Sequence, residues 1–295
     1  MKRIVTSFCA VLMAVLMIGS VSQQSYAQGN APVAENLELK TYRNVSVGGM
    51  LSAYDSDEDV VSFEITTHPI KGEIELNADG SFIYTPNENK KGRDYFGYKA
   101  IDSQGNYSQE ATVIIRIEKQ KTEIKYSDMN GKAGEFAAVE LAEQGIFVGE
   151  KIGGEYCFNP DREVSKGEFL AMSMILSNEP LVTSVMNLGL ENEDSVPTWL
   201  KNYICSAKIN SEINSSDWNK RIDKSEAVAL LNSCLKITDV SYINHEESLD
   251  NELAQACANL SACGIIRSGE PLFDKLSRAD AAQMLCNSLS IKNNR

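Results

Sequence analysis

Gly72-Glu73-Ile74-Glu75-Leu76-Asn77-Ala78-Asp79-Gly80-Ser81-Phe82-Ile83-Tyr84-Thr85 decides the architecture of the N-terminal half. Apolar and polar residues alternate through Gly72–Leu76 and again through Ser81–Thr85, the period of strands with one face buried. Between them lies a turn, in which Asp79-Gly80 is expected to supply the positive φ angles of a tight hairpin. Upstream, Val60 to Thr67 is a β-rich run. Downstream, Asp94 to Ile101 and Ala111 to Ile117 give two further strands, separated by the turn residues Asp102-Ser103-Gln104-Gly105-Asn106. Short strands at this spacing between Ala31 and Glu118 predict an antiparallel β-sandwich.

The whole chain has 295 residues, room for about two domains. A hydrophobic content of 43 % with 23 % charged residues is that of a folded protein. The formal net charge of −13 disfavours nucleic acid as a partner, because phosphate binding needs clustered Lys and Arg. Residues 1–27 read as a secretory signal peptide: Lys2-Arg3, an apolar run from Ile4 to Val21, then Ser25-Tyr26-Ala27 with small residues at the cleavage positions. An N-terminal anchor helix is the competing reading. No later stretch approaches the ~20 apolar residues of a membrane span. Cys157, Cys205, Cys234, Cys257, Cys263 and Cys286 all lie in the C-terminal half. In an exported chain they are either buried thiols or disulfide partners, and a metal site is disfavoured by the lack of any CxxC pair.

Several motifs of the N-terminal half occur together: Asn30-Ala31-Pro32-Val33, Leu51-Ser52-Ala53-Tyr54-Asp55-Ser56-Asp57-Glu58-Asp59, Asp79-Gly80-Ser81-Phe82-Ile83-Tyr84-Thr85-Pro86 and Gly92-Arg93-Asp94-Tyr95-Phe96-Gly97-Tyr98. Residues 30–118 thereby resemble the bacterial cadherin-like, Ig-like module of surface proteins. The resemblance implies a spacer or adhesive unit. Within it, Asp55, Asp57 and Asp59 alternate as carboxylates that can converge on Ca²⁺, the one cofactor the sequence suggests. A solvated acidic turn is the alternative.

After a linker at 119–123 the pattern becomes helical. Ala137, Val139, Leu141 and Ala142 form an apolar face that ends near Gln144-Gly145, and Phe169, Met172, Met174, Ile175 and Leu176 belong to a second helix. Three tetrads then recur: Ser165-Lys166-Gly167-Glu168, Asp223-Lys224-Ser225-Glu226 and Ser277-Arg278-Ala279-Asp280. Their cations stand 58 and 54 residues apart. Ser or Asp followed three residues later by an acid is a capping box, which explains positions one and four. It leaves unexplained the cation at position two, which sits unfavourably in the first helical turn.

The first repeat carries Tyr126-Ser127-Asp128, Gly145-Ile146-Phe147-Val148-Gly149, Phe158-Asn159-Pro160-Asp161 and the tetrad. It resembles the S-layer homology (SLH) domain. Repeats at 124–178, 190–236 and 244–290 are expected, the second and third degenerate. The implied fold class is multidomain: an N-terminal all-β Ig/cadherin-like sandwich and a C-terminal all-α pseudo-threefold helical domain. In that family the unit binds anionic secondary cell-wall polysaccharide, often pyruvylated. The resemblance implies that Lys166, Lys224 and Arg278 face the polymer's carboxylates in grooves between repeats, with free backbone N–H groups assisting. It makes Asp128 the opening aspartate and Gly149 the loop glycine. Lys in place of the family's usual Arg loses the bidentate fork. Trp218, among Asp217, Asn219 and Lys220, is the tryptophan expected to be exposed for stacking on sugar, and Trp199 is assigned to the core.

The expectation is a secreted protein at the bacterial cell wall or S-layer, anchored non-covalently, with other surface proteins as further partners. The alternative is a secreted scaffold whose repeats make protein contacts without binding glycan. An enzyme is disfavoured: His68 and His245 lie in different halves, and neither HExxH, G-x-S-x-G nor a P-loop occurs.

Overall fold

The computed structural model describes residues 30–56, 58–178, 180–183, 193–211, 217–241, 249–267 and 271–293. The signal-peptide segment, Asp57 and His245 lie outside the described residues.

The N-terminal part is a β-sandwich. One sheet has the order β2 (Leu37–Tyr42), β9 (Ala111–Glu118), β8 (Gly92–Asp102), β5 (Val60–Thr67), and the other β3 (Val47–Met50), β7 (Ser81–Pro86), β6 (Gly72–Leu76). A short pair, β1 (Val33–Ala34) with β4 (Ala53–Tyr54), stands beside them. Alternation places Val113, Ile115 and Ile117 of β9, Phe96 and Tyr98 of β8, and Phe82 and Tyr84 of β7 in one core, where Phe82 meets Phe96 edge-on at 5.2 Å. The sandwich is not wholly antiparallel, because β2 pairs with β9 in parallel. The first and last long strands run the same way, so they can pair only in parallel once the chain has wound through both sheets.

The hairpin at Asn77–Gly80 forms, with one difference from the expected turn. Only Gly80 of the turn has positive φ, at 83°. Asp79 instead turns its carboxylate to accept from the Ser81 N–H and hydroxyl, which draws its pKa below the usual aspartate range. The buried Asp94 holds the turn after His68-Pro69 by accepting from the N–H groups of Ile70 and Lys71 and from the Tyr84 hydroxyl.

Six helices follow among the described residues: α1 (Glu135–Glu143), α2 (Lys166–Ser177), α3 (Thr198–Ser211), α4 (Lys224–Leu235), α5 (Asn251–Ala262) and α6 (Arg278–Asn293). The region is not purely helical. A small hairpin, β10 (Glu150–Ile152) with β11 (Glu155–Cys157), interrupts the first repeat, because Gly153-Gly154 supplies two positive φ angles for a tight turn. Capping boxes open α2 and α4, and Ser277 with Asp280 exchanges the same pair of bonds at α6.

Three short extended segments precede α2, α4 and α6, and they close on each other. Val164 N–H donates to Leu276 O, Leu276 N–H to Ile222 O, and Ile222 N–H to Val164 O, each at 3.0 Å. This cyclic set of bonds is a pseudo-threefold ring, and it makes the three tetrads equivalent in space.

The segment 119–123 is not a free tether. Glu143 accepts from the N–H groups of Lys121 and Thr122. Tyr42 and Val45 of the sandwich pack into the helical core, and Phe136 touches both cores. Gly48 N–H bonds Ala133 O, and Ser46 N–H bonds the Glu135 carboxylate, at 3.0 Å each. Glu140, only 4 % exposed, accepts from the Tyr42 hydroxyl at 2.6 Å and from Lys40 at 3.0 Å. Burial, reinforced by Glu140, raises the Tyr42 pKa. Two sequence patterns that change at Lys119 therefore share an interface. The six cysteines are free thiols, and burial pushes that of Cys286 up to about 12.

Candidate ligand-binding site

The ring carries the three tetrads, and the helix starts differ from the expected anion sites. The first two N–H groups of each helix already have partners. Lys166 and Gly167 donate to the carbonyls of Lys220 and Trp218, Lys224 and Ser225 to those of Asp274 and Leu272, and Arg278 and Ala279 to those of Arg162 and Pro160. The third is taken by the cap side chain. The helix termini thus offer no free N–H groups to an anion, and only the side chains remain.

Those side chains pair across repeats. Lys166 reaches Glu226 at 3.3 Å and Lys224 reaches Asp280 at 3.7 Å, each the acid of the following tetrad. Arg278 breaks the pattern. Its guanidinium donates to Phe158 O and to Glu150, both at 2.8 Å, and lies 4.9 Å from the Phe147 ring centre. The hydrogen bond from Arg278 and its charge hold the Glu150 carboxyl below the usual glutamate range. The Arg278 side chain is 7 % exposed, whereas those of Lys166 and Lys224 are 18 % and 20 % exposed.

Asp128 and Gly149 shape the first repeat. Asp128 accepts from the N–H groups of Phe158 and Asn159 at 2.8 and 2.6 Å, fixing the segment that presents Phe158 O to Arg278. Gly149 has φ of 77°, and a Cβ there would stand 2.6 Å from Cys157 O. In the structure both shape the backbone of the first repeat. The tryptophans reverse their expected places. Trp218 is 1 % exposed, sunk beneath the start of α2, and Trp199 is 54 % exposed, edge-on to Tyr203 at 6.3 Å. The polar neighbours of Trp218 misled because they flank a turn whose apolar member points inward.

A cavity of about 520 Å³ lies between the sandwich and the third repeat. Asn77, Ser81 and Phe82 line one side, and Lys224, Arg267 and Gln283 the other. Beside Arg278 the free space is only about 10 Å³. Sequence reasoning found Lys224 here but missed Arg267 and the hairpin wall, since no repeat position marks either.

In the sandwich, Asp55 and Asp59 converge with Asp102, offering carboxylate oxygens within 4.8 Å of one another. Asp102 came from a turn read only as a turn. Its placement in the strand-end cluster depends on β5 pairing with β8, which sets Val60 opposite Asp102. Asp59 also accepts from the Ser103 hydroxyl, while its Oδ1 is buried with no hydrogen-bond partner among the described residues. Oxygens so arranged can hold a divalent cation.

Residues 29–119 match the family model of the bacterial cadherin-like domain, so the chain contains that domain followed by a helical region. No curated protein matches the chain. Solved structures similar to it include the SrpA adhesin from Streptococcus sanguinis (14 % identity over 35 % of this chain and 64 % of that one, TM-score 0.27). Human protocadherin-24 EC1-2 is another (21 % identity, 31 % and 53 % covered, TM-score 0.26). In both cases the match spans less than two thirds of the other chain. No helix among the described residues is long and apolar enough to cross a membrane.

Proposed function

We propose that this is a bacterial surface protein whose helical region holds it non-covalently to an anionic wall polysaccharide, with the cadherin-like domain as spacer or adhesive unit. The closed ring of backbone bonds carries this reading. It gathers three cation-bearing helix starts from segments far apart in sequence into one pseudo-threefold unit, in which the Lys166 and Lys224 side chains stay partly exposed to an anionic polymer. In this reading the protein binds and catalyses nothing. Co-sedimentation with cell-wall sacculi, before and after mild acid removal of the non-peptidoglycan polymer, tests it. Retention that disappears with the polymer is expected, and no retention from intact sacculi refutes it.

The internal pairing of Lys166 and Lys224 favours a second reading, in which the tetrad cations only join repeats and the region serves protein contacts. That reading predicts no retention on any sacculi. The Asp55–Asp59–Asp102 convergence adds a candidate Ca²⁺ position to either reading.

A further inference from the structure

The spaces beside Arg278 and Lys224 are not equivalent. At Arg278 the chain's own Glu150 carboxylate already occupies the guanidinium, and the adjoining space of about 10 Å³ admits no sugar. At Lys224 the space is about 520 Å³, within the range of small-ligand sites, and its second wall comes from the sandwich rather than from a repeat. We infer that the β6–β7 hairpin completes the Lys224 groove as a composite site for an acidic saccharide unit.

The lining chemistry supports that class of ligand. Lys224 and Arg267 supply two cations for a carboxylate. Asp280 also lines the cleft, but its pairing with Lys224 at 3.7 Å is long and half-solvated, so a ligand carboxylate can compete for the ammonium as it cannot for the buried Arg278. Arg267 is exposed and lines the cleft together with Asn77 and Ser81 of the hairpin, so both domains contribute to its mouth. An amide side chain has two donor hydrogens and an oxygen acceptor. Within the protein Asn77 spends one donor on Ser81 and Gln283 one on Asn287. The remaining positions suit sugar hydroxyls, and Ile266 and Met284 offer apolar surface for a ring face.

This inference rests on the wall-anchor reading. Its test is retention of the full chain on intact sacculi, with Lys224→Ala, Arg267→Ala, Asn77→Trp and Gln283→Trp variants checked for an unchanged melting temperature. Arg93→Ala, on β8 outside the cleft, controls for simple loss of positive charge. Loss of a charge-assisted bond, or filling of the cleft from either wall, weakens retention about tenfold or more, while Arg93→Ala binds as the unaltered chain does. Asn77→Trp is the decisive variant, because only a composite site is blocked from the sandwich side. If the unaltered chain sediments and Asn77→Trp sediments equally, the composite site is refuted and the anchor reading stands. If the unaltered chain does not sediment, both fail together.

Discussion

Replacing Arg278 by alanine separates architecture from binding. The guanidinium is almost fully buried and donates to the Phe158 carbonyl at 2.8 Å. A bond from a charged donor to a buried carbonyl contributes roughly 1.5–3 kcal/mol, and the contact with Phe147 adds about 1 kcal/mol. The Glu150 carboxylate is exposed and recovers its hydration, so it changes the balance little. Arg278→Ala should therefore cost about 3 kcal/mol, a fall in melting temperature of about 6–12 °C for a region of this size. Lys224→Ala removes a half-solvated pair at 3.7 Å and should cost less than about 1 kcal/mol. Thermal melts and urea titrations of the two variants measure the difference. The reasoning is wrong if Arg278→Ala melts within a degree or two of Lys224→Ala. The same numbers mean that poor wall retention by Arg278→Ala reports misfolding of the first repeat before it reports a lost contact.

Tryptophan fluorescence checks the reversed burial: Trp199→Phe should leave blue-shifted emission that iodide does not quench, and quenchable emission from Trp218 would contradict its position. Trp218→Ala should cost about 3–5 kcal/mol, against less than about 1 for Trp199→Ala, in the same melts. Millimolar Ca²⁺ should raise the melting temperature of the unaltered protein but not of Asp102→Asn, by linkage of about 2.7 kcal/mol at a hundredfold excess over Kd; no rise in the unaltered protein excludes the site. The lowered Glu150 pKa makes stability that is present above the ordinary value of 4.5 and lost as pH falls through the lowered one. The unaltered protein should thus lose more melting temperature between about pH 5 and about pH 3 than Glu150→Gln does, and parallel losses would show that Arg278 does not hold the carboxylate.

Short-range chemistry made much of this protein legible. Alternation wrote the strands from Val60 onward, since a side chain on a pleat must face in or out. β3 escaped notice because Gly48-Gly49 carries no pattern and takes its place from the partner β7. The capping boxes were readable because cap and acid stand three residues apart, and the repeat spacing followed from them. Contacts that span long loops were not readable. Arg278 meets Glu150 across 128 residues, the ring joins segments more than fifty residues apart, and Asp102 completes its cluster through strand pairing. The sequence alone determined two kinds of local structure and three equivalent helix starts, because propensity and capping act within one or two turns. Only the tertiary structure decided that those helix starts have no free N–H groups, that one cation is sealed by the chain's own carboxylate, and that the open groove borrows a wall from the sandwich. Those outcomes depend on how whole elements pack, and packing is a property of the assembled core rather than of any window along the chain.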